Sequence, residues 1–248
     1  MKIKGSKALV TGSNRGLGLA FVRALHEAGC AKIYAAARQV NTVAADGVIN
    51  PIQLDICNSE HVVSAVSQCR DIDLLINNAG VATFAPSLGA PTIDSARREM
   101  ETNYFGTLAM CRAFAPVLKH NGGGSLVNIL STASWFNFPM QGSYCASKSA
   151  EWSLTMAVRF ELREQGTLVV GVYAGYIDTE MAAGVSAPKS RPESVVARVL
   201  AGIENDEEEI LADERAQSVH SELLKDHGPF AAKIQNVWDD YKRRKMGN

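Results

Sequence analysis

Short apolar runs alternate with amphipathic stretches over the first two-thirds of the chain. Ala8-Leu9-Val10, Lys32–Ala36, Ile52–Leu54, Asp73–Ile76, Ser125–Ile129 and Leu168–Tyr173 are the candidate strands. Between them, Gly18–Ala28, Ser59–Cys69, Ala96–Lys119 and Tyr144–Glu164 carry apolar residues at helical spacing. Leu74-Leu75-Ile76 and Leu126-Val127-Asn128-Ile129 are continuous apolar runs rather than alternating ones, the pattern of strands buried on both faces. Strand–helix alternation of this length predicts an α/β fold, a doubly wound parallel sheet with helices on both faces.

The last fifth changes character. Glu193–Ile203 carries an apolar stripe of Val195, Val196, Val199, Leu200 and Ile203, and a charged turn at residues 205–209 precedes a further short strand, Ile210-Leu211-Ala212. Two more helical segments follow, with a break expected at His227-Gly228-Pro229. The second sets Phe230, Ile234, Val237, Trp238 and Tyr241 near helical spacing, ahead of a basic end, Lys242-Arg243-Arg244-Lys245. No Pro/Gly-rich linker, repeat or low-complexity run interrupts the chain. Residues 1–248 therefore read as one domain, with a core over 5–212 and a helical extension over 213–248 that packs on its own subunit or on a neighbour.

Composition narrows the function classes. The chain has 248 residues, 46% of them hydrophobic, and a formal net charge of −1. Such a charge makes no electrostatic case for nucleic acid or an anionic membrane. No apolar run approaches the roughly 20 residues of a membrane span, and Met1–Ser6 leads into the first strand without a signal-peptide core. Cys30, Cys57, Cys69, Cys111 and Cys145 are scattered, with no CxxC spacing. They read as reduced packing residues of a cytoplasmic protein, and no metal is expected.

Two stretches carry candidate chemistry. Thr11-Gly12-Ser13-Asn14-Arg15-Gly16-Leu17-Gly18 follows a strand and opens a helix. Glycines there allow a tight turn and close backbone approach to a pyrophosphate, which the free N–H groups of a helix N-terminus attract. The carboxylate that grips a ribose at the end of the second strand in NAD-selective folds is absent; Ala37 and then Arg38 stand there. Arg15 and Arg38 together fit a 2′-phosphate through charge-assisted hydrogen bonds, so NADP(H) is the expected cofactor. Farther on, Tyr144 and Lys148 lie four residues apart, on one face of a predicted helix. The expectation is that the lysine lowers the tyrosine pKa from about 10 and makes the phenol a usable general acid/base.

Taken together, these motifs resemble the short-chain dehydrogenase/reductase family. Thr11–Gly18 matches its TGxxxGxG turn, and Asn77-Asn78-Ala79-Gly80 its NNAG motif. Asp55, followed by Ile56, occupies the adenine-contacting position. Asn103 stands at the active-site asparagine, and Ser131 lies 13 residues before Tyr144. Tyr144 and Lys148 complete YxxxK. The family's PG motif appears as Ala174-Gly175, with Ile177 and Thr179 beyond it toward the nicotinamide. The resemblance spans roughly residues 5–212. It implies a Rossmann-type sheet of about seven strands and a reversible NADPH-dependent carbonyl reductase acting on a small-molecule ketone, aldehyde or alcohol.

In that reading Asn103, Ser131, Tyr144 and Lys148 are catalytic. Tyr144 moves the proton, Lys148 lowers its pKa and binds the nicotinamide ribose, Ser131 orients the substrate oxygen, and Asn103 fixes a relay water. The cofactor would rest on residues 12–18, Ala37, Arg38, Asp55, Ile56, Asn78, Ala79, Gly80, Tyr144, Lys148, Gly175, Ile177 and Thr179. Trp135, Phe136, Phe138, Met140 and Met181 flank the catalytic segments; they either line an apolar pocket for a hydrophobic or aryl carbonyl or pack in part into the core or an interface. A homodimer or homotetramer is expected through the helices near Ala96–Lys119 and Tyr144–Glu164. The competing function is a catalytically silent NADP-binding sensor or scaffold on the same fold, against which the complete set of proton-transfer groups argues.

Overall fold

The computed structural model describes the backbone of residues 1–225 and 227–246, and the side chains of these except 227–231, 238, 241–242 and 245–246. Its elements are β1 (Lys7–Thr11), α1 (Gly16–Glu27), β2 (Lys32–Ala37), β3 (Ile49–Gln53), α2 (Ser59–Gln68), β4 (Leu74–Asn77), α3 (Asp94–Glu99) and α4 (Thr107–His120). They continue with β5 (Ser125–Ile129), α5 (Gly142–Leu162), β6 (Leu168–Tyr173), α6 (Pro192–Glu204), β7 (Glu209–Leu211), α7 (Glu214–Lys225) and α8 (His227–Met246). The seven strands form one sheet in the order β3-β2-β1-β4-β5-β6-β7. Every pairing is parallel. This is the expected Rossmann-type doubly wound α/β sheet. Strand order reverses between β1 and β4, and in such sheets the crevice beyond the strand ends at that point receives the ligand.

Alternate residues of each strand feed opposite cores. Val10, Ile33, Ile76, Val127 and Val172 pack with Phe21 and Leu25 of α1 and with Val195, Val199 and Ile203 of α6. Leu9, Ile52, Leu75, Leu126 and Val169 pack instead with Ala65 of α2, Met110, Phe114 and Leu118 of α4, and Val158 of α5. With both faces covered, the apolar runs need no polar alternation. Phe21 and Phe114 are fully buried on opposite faces, each contributing about 1.5–3 kcal/mol relative to exposure. Pro51 sits in β3, an edge strand, where a missing ladder donor is tolerated.

Two segments depart most from the sequence expectation. The predicted continuous helix over Ala96–Lys119 starts at Asp94 and is π-helical from Met100 to Gly106. Gly106 explains part of this: a Cβ there would lie 2.7 Å from Ile56, so the absence of a side chain lets the helix approach β3's exit. The break expected at His227-Gly228-Pro229 does not fall within that tripeptide, because α8 begins at His227. Gly228 and Pro229 thus fall in its first turn, where a missing N–H removes no intrahelical bond. Of the expected apolar stripe on α8, Ile234 is half-buried and Val237 exposed, while the side chains of Phe230, Trp238 and Tyr241 lie outside the described ones. Among the described residues, no helix is long and apolar enough to cross a membrane.

Candidate active site

The phosphate-binding turn is built by close backbone contacts. Gly12 and Gly16 adopt positive φ of 65° and 52°, a region costly for any residue with a Cβ. A Cβ on Gly18 would lie 2.1 Å from the Gly12 carbonyl oxygen, so the turn closes only with glycine there. Ser13 is locked to β2, its N–H and its hydroxyl both donating to the Ala36 carbonyl at 2.9 and 3.0 Å. Asn78 ties the turn to β4: its Nδ2 donates to the carbonyls of Thr11 and Gly12 at 2.9 and 3.2 Å. The N–H groups of Asn78 and Ala79 both donate to Thr11 Oγ1 at 3.0 Å.

The donors of this cradle suit a dinucleotide. Arg15 is the extended N-cap of α1, and no side chain caps the helix, so its first-turn N–H groups remain available for a phosphate. Arg38, directly after β2, is exposed. Arg15 is exposed as well, but its Nη1 lies 2.6 Å from Glu180 Oε2, a pairing that sequence reading did not anticipate. Asp55 accepts from the Cys57 N–H at 3.0 Å, and Ile56 is buried against Gly106. Thr179 abuts Gly16, with its Cγ2 3.2 Å from where a Cβ would stand. Ile177 bridges in parallel to Ser190. The Gly175 N–H donates to Asp213 Oδ2 at 2.9 Å.

The four candidate catalytic residues converge from three elements. Ser131 leaves β5 and caps a 3₁₀ turn, its Oγ accepting from the Ala133 N–H at 3.1 Å. Tyr144 and Lys148 rise from the first turns of α5, with the Ser131 side chain near enough to the phenol to favour its ionised form. Lys148 is buried, its Nζ donating to the Ile129 carbonyl at 2.8 Å and to Glu151 Oε2 at 2.6 Å. One of its three donors is left. Asn103 stands inside the π-helical turn, entirely buried. Its Nδ2 donates to the Val81 carbonyl and to Ser147 Oγ, and its Oδ1 accepts from the Val81 N–H, each at 2.9 Å. Gly80 adjoins the group: a Cβ on it would lie 3.2 Å from Asn103 Oδ1 and 3.8 Å from Lys148 Nζ.

One expectation about these residues needs correcting, and a second is narrowed. Tyr144 sits above, not below, the ordinary tyrosine value: burial pushes it up and outweighs the lowering by the Lys148 cation and the nearby Ser131 side chain. The cation is also shared, because Glu151 is its ion-pair partner. Asn103 has both amide donors committed to protein, so it staples the loop after β4 to α5. Only the remaining acceptor capacity of its Oδ1 is free to meet a water.

Several participants were not legible in the sequence. Glu151 carries no motif or spacing signal there, yet it is 1% exposed. Glu99 is fully buried, accepting from the Thr83 N–H and hydroxyl at 2.7 and 2.8 Å and from Ser143 Oγ at 2.5 Å. It thereby clamps the loop after β4 to the start of α5. On the substrate side, Phe136, Phe138 and Met140 are half-buried and Met181 is 46% exposed. Trp135 is committed elsewhere: its ring stacks on Tyr173 with centroids 4.2 Å apart and lies 5.2 Å from His220 of α7. It docks α7, while α8 reaches the turn at Pro139–Gln141.

Comparison with known proteins agrees with this geometry. The short chain dehydrogenase family profile matches residues 6–190. A sorbitol dehydrogenase of Cereibacter sphaeroides is 33% identical over 196 residues, covering 75% of this chain and 76% of that protein. A dehydrogenase/reductase SDR family protein 7-like of Drosophila melanogaster is 29% identical over 195 residues, covering 73% of this chain. This chain spans only 60% of that relative's length. A short chain dehydrogenase from Burkholderia cenocepacia J2315, solved in complex with NADP, superposes with a TM-score of 0.92 at 40% identity, over 94% of this chain and 99% of that one. A sheet that reverses at a glycine-cradled crevice, with Ser131, Tyr144 and Lys148 gathered beside it, belongs with that profile match: the chain is a member of the short-chain dehydrogenase family of nicotinamide-dependent oxidoreductases.

Proposed function

We propose that the protein is an NADPH-dependent carbonyl reductase, reversible as an alcohol dehydrogenase. The observation that carries this reading is the convergence of Ser131, Tyr144 and a buried Lys148 at the switch point of the sheet. When bound, the nicotinamide supplies the hydride for the carbonyl carbon. Everything else falls to the chain. The turn at residues 12–18 and the uncapped N-terminus of α1 hold the pyrophosphate, and Asp55, Ile56, Asn78, Ala79 and Gly80 line the adenosine side and the path to the nicotinamide. Gly175, Ile177 and Thr179 flank the nicotinamide end. Ser131 orients the substrate oxygen while Tyr144 Oη donates a proton to it during reduction and takes it back during oxidation. The remaining Lys148 donor meets the nicotinamide ribose, and Asn103 meets a relay water through Oδ1.

Cofactor selection rests on Arg15 and Arg38. No carboxylate ends β2 at Ala37, and a structural relative at 40% identity was solved with NADP. The Arg15–Glu180 pair is solvent-exposed, so it is weak and exchangeable against a phosphate. Half-buried Phe136, Phe138 and Met140 favour a hydrophobic or aryl carbonyl. Apolar Phe105, Met156 and Phe160, exposed near the middle of the chain, fit a homodimer or homotetramer built on those helices. Assaying ketones, aldehydes and alcohols with both cofactors tests the reading. Arg38→Ala should weaken NADPH binding about tenfold or more and leave NADH nearly unchanged. Equal losses for the two cofactors would refute the 2′-phosphate role.

A further inference from the structure

Glu151 lies seven residues beyond Tyr144 and three beyond Lys148, on the same face of α5. Its carboxylate is held from two helices. Lys148 Nζ lies 2.6 Å from Oε2, and Thr107 Oγ1, at the start of α4, donates to Oε1 at 3.4 Å. The Glu151 backbone carbonyl accepts from Thr155 Oγ1 at 2.8 Å, and Thr155 in turn accepts from Asn128 Nδ2 of β5. Burying two charges this deeply is poor value for stability alone, since an apolar pair of similar size packs as well without the desolvation cost. We infer that Glu151 is the counter-charge of the proton-transfer pair, a positioning residue that fixes the Lys148 ammonium and governs the charge state of Tyr144 and Lys148.

Net charge in a dry site decides the direction of the effect. With a neutral phenol, an ammonium and a carboxylate, the triad sums to zero, and losing a proton leaves it at −1. With a neutral residue at 151 the same loss takes the site from +1 to zero, which a low-dielectric interior favours. The other titratable groups nearby are Cys145 beside Tyr144, Cys111 of α4 facing Glu151, and Glu99 of α3, which reaches Cys145 and holds Ser143. None of these is a cation, so Lys148 and Glu151 dominate. In line with this, the Glu151 charge acts to raise both Tyr144 and Lys148.

The catalytic meaning of this inference rests on the proposed proton-transfer role of Tyr144, but its test does not need turnover. The full chain is labelled with tyrosine carrying ¹³C at Cζ, the Tyr144 resonance is assigned by its loss in Tyr144→Phe, and its ionisation is followed by NMR up to the onset of unfolding. Glu151→Gln and Glu151→Leu should show a larger phenolate fraction than wild type at each alkaline pH, while Glu151→Asp stays near wild type. Thermal melts identify the folded variants, and Leu carries the test if Gln fails to fold. An unchanged or smaller phenolate fraction in the neutral variants overturns the inference. Absence of ketone reduction by wild type would count against the proposed function and leave this titration readable.

Discussion

At the scale of single residues, the site is a set of buried polar groups that hold one another in place. Lys148 and Glu151 are 7% and 1% exposed in their side chains, so neither is held by solvent if its partner is removed. Lys148→Met should therefore destabilise the protein by about 3–5 kcal/mol, because it strands a buried carboxylate. Lys148→Met/Glu151→Leu should recover most of that loss; urea unfolding of the single and double variants measures both. Tyr144 and Lys148 were legible in the sequence because their spacing and their order among other motifs identify them. Glu151 was not, since its burial depends on Thr107 arriving from α4, and no local pattern announces that contact.

At the scale of elements, the fold exists to bring strand exits and helix starts together. Strand identity, order of motifs and the four helical stretches between the strands were legible because both-face burial and helical spacing leave clear runs in the sequence. The π-helical turn over Met100–Gly106 was not, because it follows from Ile56 packing on Gly106 and from Asn103 bonding across to Val81 and Ser147. The C-terminal junction is similar. Asp213 caps α7 by accepting from the Ala216 N–H at 2.8 Å, while its other oxygen accepts from the Gly175 N–H and from Ser190 Oγ, each at 2.9 Å. One side chain thus couples the tail helix to the loop expected beside the nicotinamide, where the sequence reads only as a departure from the family's PG motif. Asp213→Ala should cost about 0.5–2 kcal/mol through the lost cap and also raise the KM for cofactor. A stability loss with unaltered cofactor kinetics would limit Asp213 to capping.

At the scale of the whole molecule, two apolar layers protect ionisable groups as well as side-chain packing. Cys69 and Cys111 are buried in the layer beneath α2, α4 and α5, and burial pushes each thiol from 9.0 up to about 12. The folded state therefore keeps protons that the unfolded chain loses. Stability from these two groups is fully present below pH 9.0 and declines as pH rises through about 12. Urea unfolding across that range should show the decline, and Cys69→Ala/Cys111→Ala should flatten it. The same layers flank the crevice beside Ser131, Tyr144 and Lys148, where the proposed proton transfer would take place. Its most direct test is Tyr144→Phe, assayed for NADPH-dependent reduction of whichever ketone the wild-type enzyme turns over fastest, alongside NADPH binding by fluorescence. Loss of about 100-fold or more in kcat with NADPH affinity retained is the predicted result; reduction at the wild-type rate by the phenylalanine variant would contradict it.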